Sequence, residues 1–322
     1  MITGATGYVG SAVAAALDRA GYEVCGLARS RASAQELRGR GYAAYPGDMK
    51  RPGDLSRAIL ESGAGAVVHA ATTGDSEAEE ADRNAVEDAL RALRGTGRTF
   101  VYTSGGWVMG ETPGSPQDPL ADEETPPEPA PSLHWRPAVE RWVLEAAASH
   151  GVSTFVVRPA LVYGGGGGVV AELVQSARER GSARYVVGDA PGSGPLWTLV
   201  HRGPDLGDLY ARILARAEPD GTGGSLGTLV VAAGTSPVPV REIAAEASLL
   251  YGSGDPPQPL PLSEARRELG VYADSLVLSQ RLSGARARRL FCWEPSGPPV
   301  LEELATGSYA PPGSSEGNGG VR

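Results

Sequence analysis

The first ten residues, Met1-Ile-Thr-Gly-Ala-Thr-Gly-Tyr-Val-Gly10, place glycines at 4, 7 and 10. A helical run from Ser11 to Ala20 follows at once, and Gly21 can close it as a left-handed cap. A glycine-rich turn feeding a helix lets a backbone approach a pyrophosphate, because the helix N-terminus offers unpaired N–H groups and a partial positive charge. Gly4, Thr6, Gly7, Tyr8, Val9 and Gly10 are therefore candidate phosphate-binding residues. Their spacing is G-x-x-G-x-x-G rather than the more general G-x-G-x-x-G.

Further along, Arg29-Ser30-Arg31 starts 19 residues past Gly10. An acidic residue at this distance would bind the ribose hydroxyls of NAD, whereas arginine and serine suit the 2′-phosphate of NADP. A solvated basic turn is the other reading. Asp48 in Pro46-Gly47-Asp48 is placed to accept from an adenine amine, although Gly-Asp is also ordinary turn chemistry. His69 stands inside an apolar run and reads as a satisfied core histidine. His134 titrates near ~6.5 when unperturbed, so it is a candidate acid at neutral pH or else a surface histidine beside a proline-rich loop. Asp122-Glu123-Glu124 reads as a solvated charge cluster. Trp107, Trp135 and Trp197 are candidates to line one apolar substrate pocket.

These groups need elements to carry them. Glu23–Ala28, Tyr42–Tyr45, Ala66–Ala71, Thr99–Thr103 and Ser153–Arg158 read as short apolar strands. Between them, Ala32–Arg38, Gly53–Glu61, Ser76–Arg94 and Val139–Ala148 read as helices, the third with acids early and arginines late. Such alternation predicts an α/β fold, a Rossmann-type doubly wound parallel sheet. The strand feeding the glycine turn is reduced to Met1-Ile2, where about four to six apolar residues are usual, so an open sheet position is expected beside it. The second half is less regular, with helices over Val169–Arg180, Asp205–Ala217 and Val240–Tyr251 and strands over Arg184–Val187 and Leu229–Ala232. It suits a smaller C-terminal substrate lobe closing over the strand ends. Residues 1–163 are assigned to the dinucleotide domain, 164–308 to the lobe interleaved with it, and 309–322 to a disordered tail. The loop Glu111–Leu133, with seven prolines, suggests a mobile flap, and the five glycines 164–168 suggest a hinge.

A length of 322 residues supports a sizeable core. The formal charge of −9 and the lack of a basic stripe argue against nucleic acid and anionic membrane as main partners. Cys25 and Cys292 lie far apart outside any metal-binding spacing, so neither disulfide nor zinc is expected. No apolar run reaches the ~18 residues of a membrane span. A cytoplasmic location is expected, or an organellar one if a targeting segment precedes Met1.

Several motifs in order resemble the extended short-chain dehydrogenase/reductase family, of the NAD-dependent epimerase/dehydratase type. They are Thr3–Gly10, Gly47-Asp48-Met49, Val67-Val68-His69-Ala70-Ala71, Val101-Tyr-Thr-Ser104 running to Gly110, Asp122–Pro126 and Arg158-Pro-Ala-Leu-Val-Tyr-Gly164. Gln280 to Pro295 is similar to the family's closing motif. The resemblance implies a bound NADP, or NAD, and a small-molecule substrate. It adds Met49, Ala70, Ala71, Thr103 and Pro159 to the candidate cofactor residues. Since members often pair through the helices after the fourth and fifth strands, a homodimer is also implied.

The same resemblance exposes a gap. Members that transfer hydride carry Ser, Tyr and Lys, the last two as Y-x-x-x-K. Counting from Glu140 and Gly110 puts Gly105 at the Ser position with Ser104 beside it, Ser132 at the Tyr position and Arg136 at the Lys position. An unactivated serine is far too weak an acid to replace a phenol with pKa near ~10. Arginine is a fixed cation and no lysine equivalent. Pro137 disfavours a helical Arg136, so the helix is expected to start at Pro137 with Ser132 and Arg136 off one face. Ser104, His134 and Arg136 remain the candidate catalytic residues. Tyr102 and Tyr163 lie nearby. His201 with Asp205 resembles the family's H-V-D-D stretch, which fixes the second lobe, and departs from it at Arg202-Gly203-Pro204. Two functions follow: an enzyme of the epimerase/reductase type with a non-standard active site, or a cofactor-binding sensor or scaffold without turnover.

Overall fold

The computed structural model describes residues 1–112, 114–115, 117–189, 194–217 and 227–310. Strand and helix alternate through β1 (Ile2–Thr3), α1 (Tyr8–Arg19), β2 (Cys25–Ala28), α2 (Arg31–Gly39), β3 (Ala43–Pro46) and α3 (Asp54–Ser62). The alternation continues with β4 (Ala66–His69), α4 (Ala78–Leu93), β5 (Thr99–Thr103), α5 (Arg136–His150) and β6 (Ser153–Pro159). The second half holds β7 (Leu161–Tyr163), α6 (Gly168–Arg180), β8 (Arg184–Val187), β9 (Leu196–Trp197), β10 (Leu199–His201) and α7 (Asp208–Ala217). Then come β11 (Thr228–Ala232), β12 (Val238–Pro239), α8 (Val240–Tyr251), β13 (Gln258–Pro261) and α9 (Leu262–Leu269). The helices α10 (Ala273–Leu276), α11 (Ala285–Phe291) and α12 (Val300–Thr306) follow.

Seven strands form one parallel sheet in the order β11-β6-β5-β4-β1-β2-β3. The winding direction reverses between β1 and β4, and at such a point the carboxyl ends of the strands open a ligand crevice. The strands at the centre are apolar along their length because helices cover both faces. One core packs α1, α2, α7 and α11 against the sheet through Leu17, Leu37, Ile213 and Phe291. The opposite core packs α3, α4 and α5 through Ile59, Leu90 and Val143. A third cluster, with Leu173, Trp197, Ile243 and Leu304, builds the second lobe, where β7 pairs with β10, β8 with β13 and β9 with β12.

β1 is only two residues long, yet Ile2 pairs with Gly26 on one side and Val68 on the other. The expected open position is present as a cavity of about 680 Å³ at the amino ends of β2, β4 and β5, lined by Tyr22, Cys25, Ala64, Ala66 and Thr99. Another long-range contact finishes α3. Its N-cap, Gly53, has φ +90° and no side chain to cap with, so Asp88 of α4 accepts the Gly53 N–H at 2.8 Å and the Leu55 N–H at 3.2 Å.

Four expectations need correction. α1 begins at Tyr8 rather than Ser11, which brings the helix end into the glycine turn itself. The three tryptophans do not share a pocket: Trp135 is buried among the α4 and α5 side chains, while Trp107 and Trp197 pack on the second-lobe cluster. The loop after Glu111 is not a free flap in its described part. The Ala121 and Ser283 N–H groups donate to Arg281 and Ala121 carbonyls at 2.8 Å, and Glu123 Oε1 accepts the Val231 N–H of edge strand β11 at 2.7 Å. Finally, Tyr309 belongs to the second-lobe core, not to a tail. The Pro-, Gly- and Ser-rich stretch from Pro311 lies outside the described residues.

Candidate active site

The cradle at the end of β1 is closed by backbone alone. Gly4 takes a left-handed φ of +69°, and its carbonyl accepts the Gly7 N–H at 2.8 Å. A Cβ on Gly4 would lie 2.9 Å from the Ala70 carbonyl and Ala71 Cα, so the candidates Ala70 and Ala71 form the wall opposite the turn. Gly10 approaches closer still, where a Cβ would stand 2.1 Å from the Gly4 oxygen. α1 has no side-chain cap at Gly7 and no acid in its first turn. Its first N–H groups therefore face the crevice at the positive end of the helix dipole, a fitting seat for a pyrophosphate.

Beyond the turn, a basin of about 700 Å³ opens between β2 and β3. Arg29, Arg31, Arg38, Arg51 and Arg57 surround it. Arg57 is tied to Asp54 at 2.8 Å, whose carboxyl is held below its usual range first by the Asp48 N–H and then by Arg57 and Arg51. Arg29, Arg31 and Arg38 have no ion pair among the described residues. Arg38 and Arg51 escape sequence reading because Arg38 reaches the basin through the packing of α2 on β2 and β3, and Arg51 through the parallel pairing of β3 with β2. Ser30 acts locally, its hydroxyl capping α2 by accepting the Ser33 N–H at 3.1 Å. Asp48 Oδ1 accepts the Lys50 N–H at 3.0 Å, and the Met49 side chain is buried in the α3–α5 core.

At the end of β5 the chemistry-bearing candidates separate. Ser104 is buried, its N–H donates to the Val157 carbonyl at 2.8 Å, and its hydroxyl has no partner. Arg136 is buried too, with Nη1 3.5 Å from the Thr103 carbonyl, the guanidinium over the Trp135 ring and Nε without a partner. Thr103 turns its hydroxyl away to Tyr210 at 2.6 Å. Contrary to expectation, α5 begins at Arg136 itself. Pro131–Leu133 already makes a turn of 3₁₀ helix and Trp135 has helical angles, so burial of Trp135 and Arg136 overrides the restriction that Pro137 imposes. Ser132 and His134 are exposed, and His134 Nδ1 lies 3.1 Å from the Pro131 carbonyl. Nδ1 must carry the proton in that contact, which leaves Nε2 free toward solvent.

Two buried assemblies hold this corner, and of their members sequence reading assigned a paired core role to His69 alone. Arg158 Nε and Nη2 clasp Glu140 at 3.0 and 2.5 Å, bolting the second turn of α5 to β6 just below Pro159. On the other side, Thr3 Oγ1 meets His69 Nδ1 at 2.7 Å, His69 Nε2 meets Asp82 Oδ1 at 2.9 Å, and the Tyr102 hydroxyl donates to Asp82 Oδ2 at 2.5 Å. His69 is thus the satisfied core histidine expected. Tyr102 is committed to α4 and burial raises its phenol pKa. The nearby phenols are committed as well. Tyr8 donates to the Gly164 carbonyl and Tyr163 to that of Pro298, at 2.7 and 2.6 Å, and burial pushes both up.

The glycine run 164–168 is not an unpacked hinge. Gly164, Gly165, Gly166 and Gly168 have positive φ, and Tyr309, Ser308 and Tyr8 clamp the run. Asp205 fixes the second lobe by accepting the Ser296 and Gly297 N–H groups at 2.7 Å each. Among the described residues no helix is long and apolar enough to cross a membrane.

Comparison with known proteins agrees with this geometry. The sequence model of the NAD dependent epimerase/dehydratase family matches residues 1–216. An uncharacterized protein of Schizosaccharomyces pombe is 28% identical over 316 residues, covering 96% of this chain and 98% of that protein. Another uncharacterized protein, from Saccharomyces cerevisiae, is 28% identical over 312 residues, covering 94% and 96%. Among solved structures, the UDP-glucose 4-epimerase of Thermus thermophilus in complex with NAD superposes with a TM-score of 0.74 at 20% identity, covering 96% of this chain and 97% of the other.

Proposed function

The chain belongs to the NAD dependent epimerase/dehydratase family, and from that premise we propose that it is an NADP-dependent oxidoreductase or epimerase acting on a small carbonyl or sugar-like substrate. The observation that carries this reading is the pair of buried, partnerless polar atoms at the end of β5, Ser104 Oγ and Arg136 Nε. Native proteins satisfy buried polar groups, and two orphans just past the carboxyl end of β5, the edge of the sheet where open α/β proteins bind ligands, suit a ligand that completes them. Gly4, Thr6, Gly7 and the first turn of α1 would hold the pyrophosphate, Arg29 the 2′-phosphate, and Thr103, Arg136 and Pro159 the nicotinamide end. Bound NADP(H) supplies a hydride donor or acceptor. Ser104 then hydrogen-bonds the substrate oxygen, and Arg136 stabilises negative charge there without giving up its own proton. The proton comes from solvent water.

Two measurements check this. Arg29→Asp is expected to lower NADPH affinity roughly 100-fold, since charge-assisted hydrogen bonds are lost and a repulsion is added, and to leave NADH the preferred cofactor. Equal affinity of the unmodified protein for NADPH and NADH, by calorimetric titration, would sink the NADP assignment. For turnover, NADPH-loaded protein is mixed with a panel of aldehydes, ketones and nucleotide sugars while NADPH absorbance is followed. Arg136→Ala is expected to slow consumption on the order of 100-fold, the usual cost of one charge-stabilising donor, whereas His134→Ala retains most of it. A collapse in His134→Ala would instead make that imidazole the acid. A dinucleotide sensor without turnover is the second reading, favoured by the full commitment of the Tyr8, Tyr102 and Tyr163 hydroxyls to protein acceptors. It predicts no consumption with any substrate.

A further inference from the structure

Arg202 stands where electrostatics alone would not put it. It opens a π-helical turn, Arg202–Gly207, directly after β10. Such turns are rare and often mark functional positions. This one lies on α1 so closely that a Cβ on Gly207 would be 3.0 Å from the Ala12 oxygen. From there Arg202 reaches back to the first turn of α1. Its Nη2 donates to Ser11 Oγ at 2.6 Å, and its guanidinium lies 4.8 Å from the centre of the Tyr8 ring. Its Nε is buried with no partner. Among the described residues Arg202 has no ion pair, and α1 carries no acid in its first turn. The carboxylate of Glu303, in the same neighbourhood, is taken up by the Ser308 N–H at 3.1 Å and lies 3.6 Å from His201 Nε2.

A guanidinium therefore sits at the positive end of a helix dipole without a counter-ion. Like charge at a helix end is unfavourable, and it becomes favourable when an anion lies against both. Resting on the reading of α1 as a dinucleotide cradle, we propose that Arg202 is a pyrophosphate ligand supplied by the second lobe. The cradle is then completed from outside the nucleotide-binding half. A bound pyrophosphate would bridge the π-helical turn and α1, which already touch, and so hold in place the lobe that selects substrate. The departure of Arg202-Gly203-Pro204 from the H-V-D-D pattern gains a purpose: the bulged turn is what aims the side chain backward.

Calorimetric titration with two probes tests this. ADP carries the pyrophosphate without the 2′-phosphate, and adenosine 2′-monophosphate carries the reverse. Arg202→Met keeps an unbranched side chain on Tyr8 and removes the charge. It is expected to weaken ADP, NADH and NADPH alike by roughly 10- to 100-fold, the worth of hydrogen bonds to a charged group. Adenosine 2′-monophosphate should bind within twofold of the unmodified protein. Arg202→Lys should recover part of the ADP affinity. The proposal is overturned if Arg202→Met binds ADP as the unmodified protein does, or if both probes weaken equally, since a purely structural role would do that. Failure of the unmodified protein to bind ADP would overturn the cradle reading as well. Loss of ADP in Arg202→Met alongside equal NADPH and NADH affinity would remove only the NADP preference.

Discussion

Gly10→Ala is expected to abolish measurable dinucleotide binding while leaving a folded protein. The added methyl would stand 2.1 Å from the Gly4 carbonyl oxygen, 2.7 Å from its carbon and 3.2 Å from the Ala5 nitrogen. All three are backbone atoms, so no rotamer change relieves the contact. Nor is there room for Gly4 to retreat, because space for even one more carbon on it is closed by the Ala70 oxygen and the Ala71 backbone, at 2.9 Å from where a Cβ would stand. The first turn of α1 must lift away from the strand ends instead. Overpacking of this kind costs about 1–3 kcal/mol, and displaced N–H donors add the loss of their bonds to phosphate. A drop of at least ~100-fold in NADPH affinity follows. Gly39→Ala is the control: a Cβ there meets nothing within 4 Å, and Gly39 is the last residue of α2, where alanine is the better helix former. Gly10→Ala binding NADPH within threefold of the unmodified protein would show that the cradle is not where the cofactor lies.

The largest loss of stability is expected from Asp82→Ala. This carboxylate is 2% exposed and receives both the His69 ring and the Tyr102 hydroxyl. Removing it leaves two buried donors with nowhere to turn, each costing about 1–3 kcal/mol, and breaking a buried pair in this way typically totals about 3–5 kcal/mol. In denaturant the midpoint should fall with the slope unchanged, as for a native-state effect. Tyr102→Phe takes away one donor and keeps the other bond, so about 1 kcal/mol is expected. Introduced into Asp82→Ala, the same change should cost less than it does alone, because the hydroxyl it removes is no longer satisfied. Fully additive losses would mean that Tyr102 and Asp82 do not act through their bond. Because Thr3 is the far end of this chain and leads directly into Gly4, faster amide exchange at the glycine turn should accompany the destabilisation.

Much of this was legible in the chain. The strand and helix alternation rests on local periodicity, and β5 fell on the residues the pattern marked, Thr99–Thr103. The glycine turn was readable because its constraint is steric and local. His69 was readable because a polar residue in an apolar strand must be paired, although its partner Asp82 lies 13 residues on and gave no signal of its own. Boundaries were harder. The proline rule put the start of α5 one residue late, since burial of Arg136 and Trp135 is a tertiary gain that local rules omit.

By itself, then, the sequence determined the parallel sheet, the glycine turn that feeds α1, the basic turn after β2, and the serine and arginine standing where the family resemblance places a phenol and a lysine. These depend on neighbours along the chain. Tertiary structure alone decided that Arg38 and Arg51 join Arg29 around one basin, that Arg158 clasps Glu140, and that Arg202 reaches Ser11 from 191 residues away. It also decided which hydroxyls are already spent and which, like that of Ser104, are left without a partner. The physical reason is the same in each case. Hydrogen bonds and ion pairs are set by distances of about 3 Å between groups, and only the packing of helices on the sheet brings residues so far apart in sequence to that range.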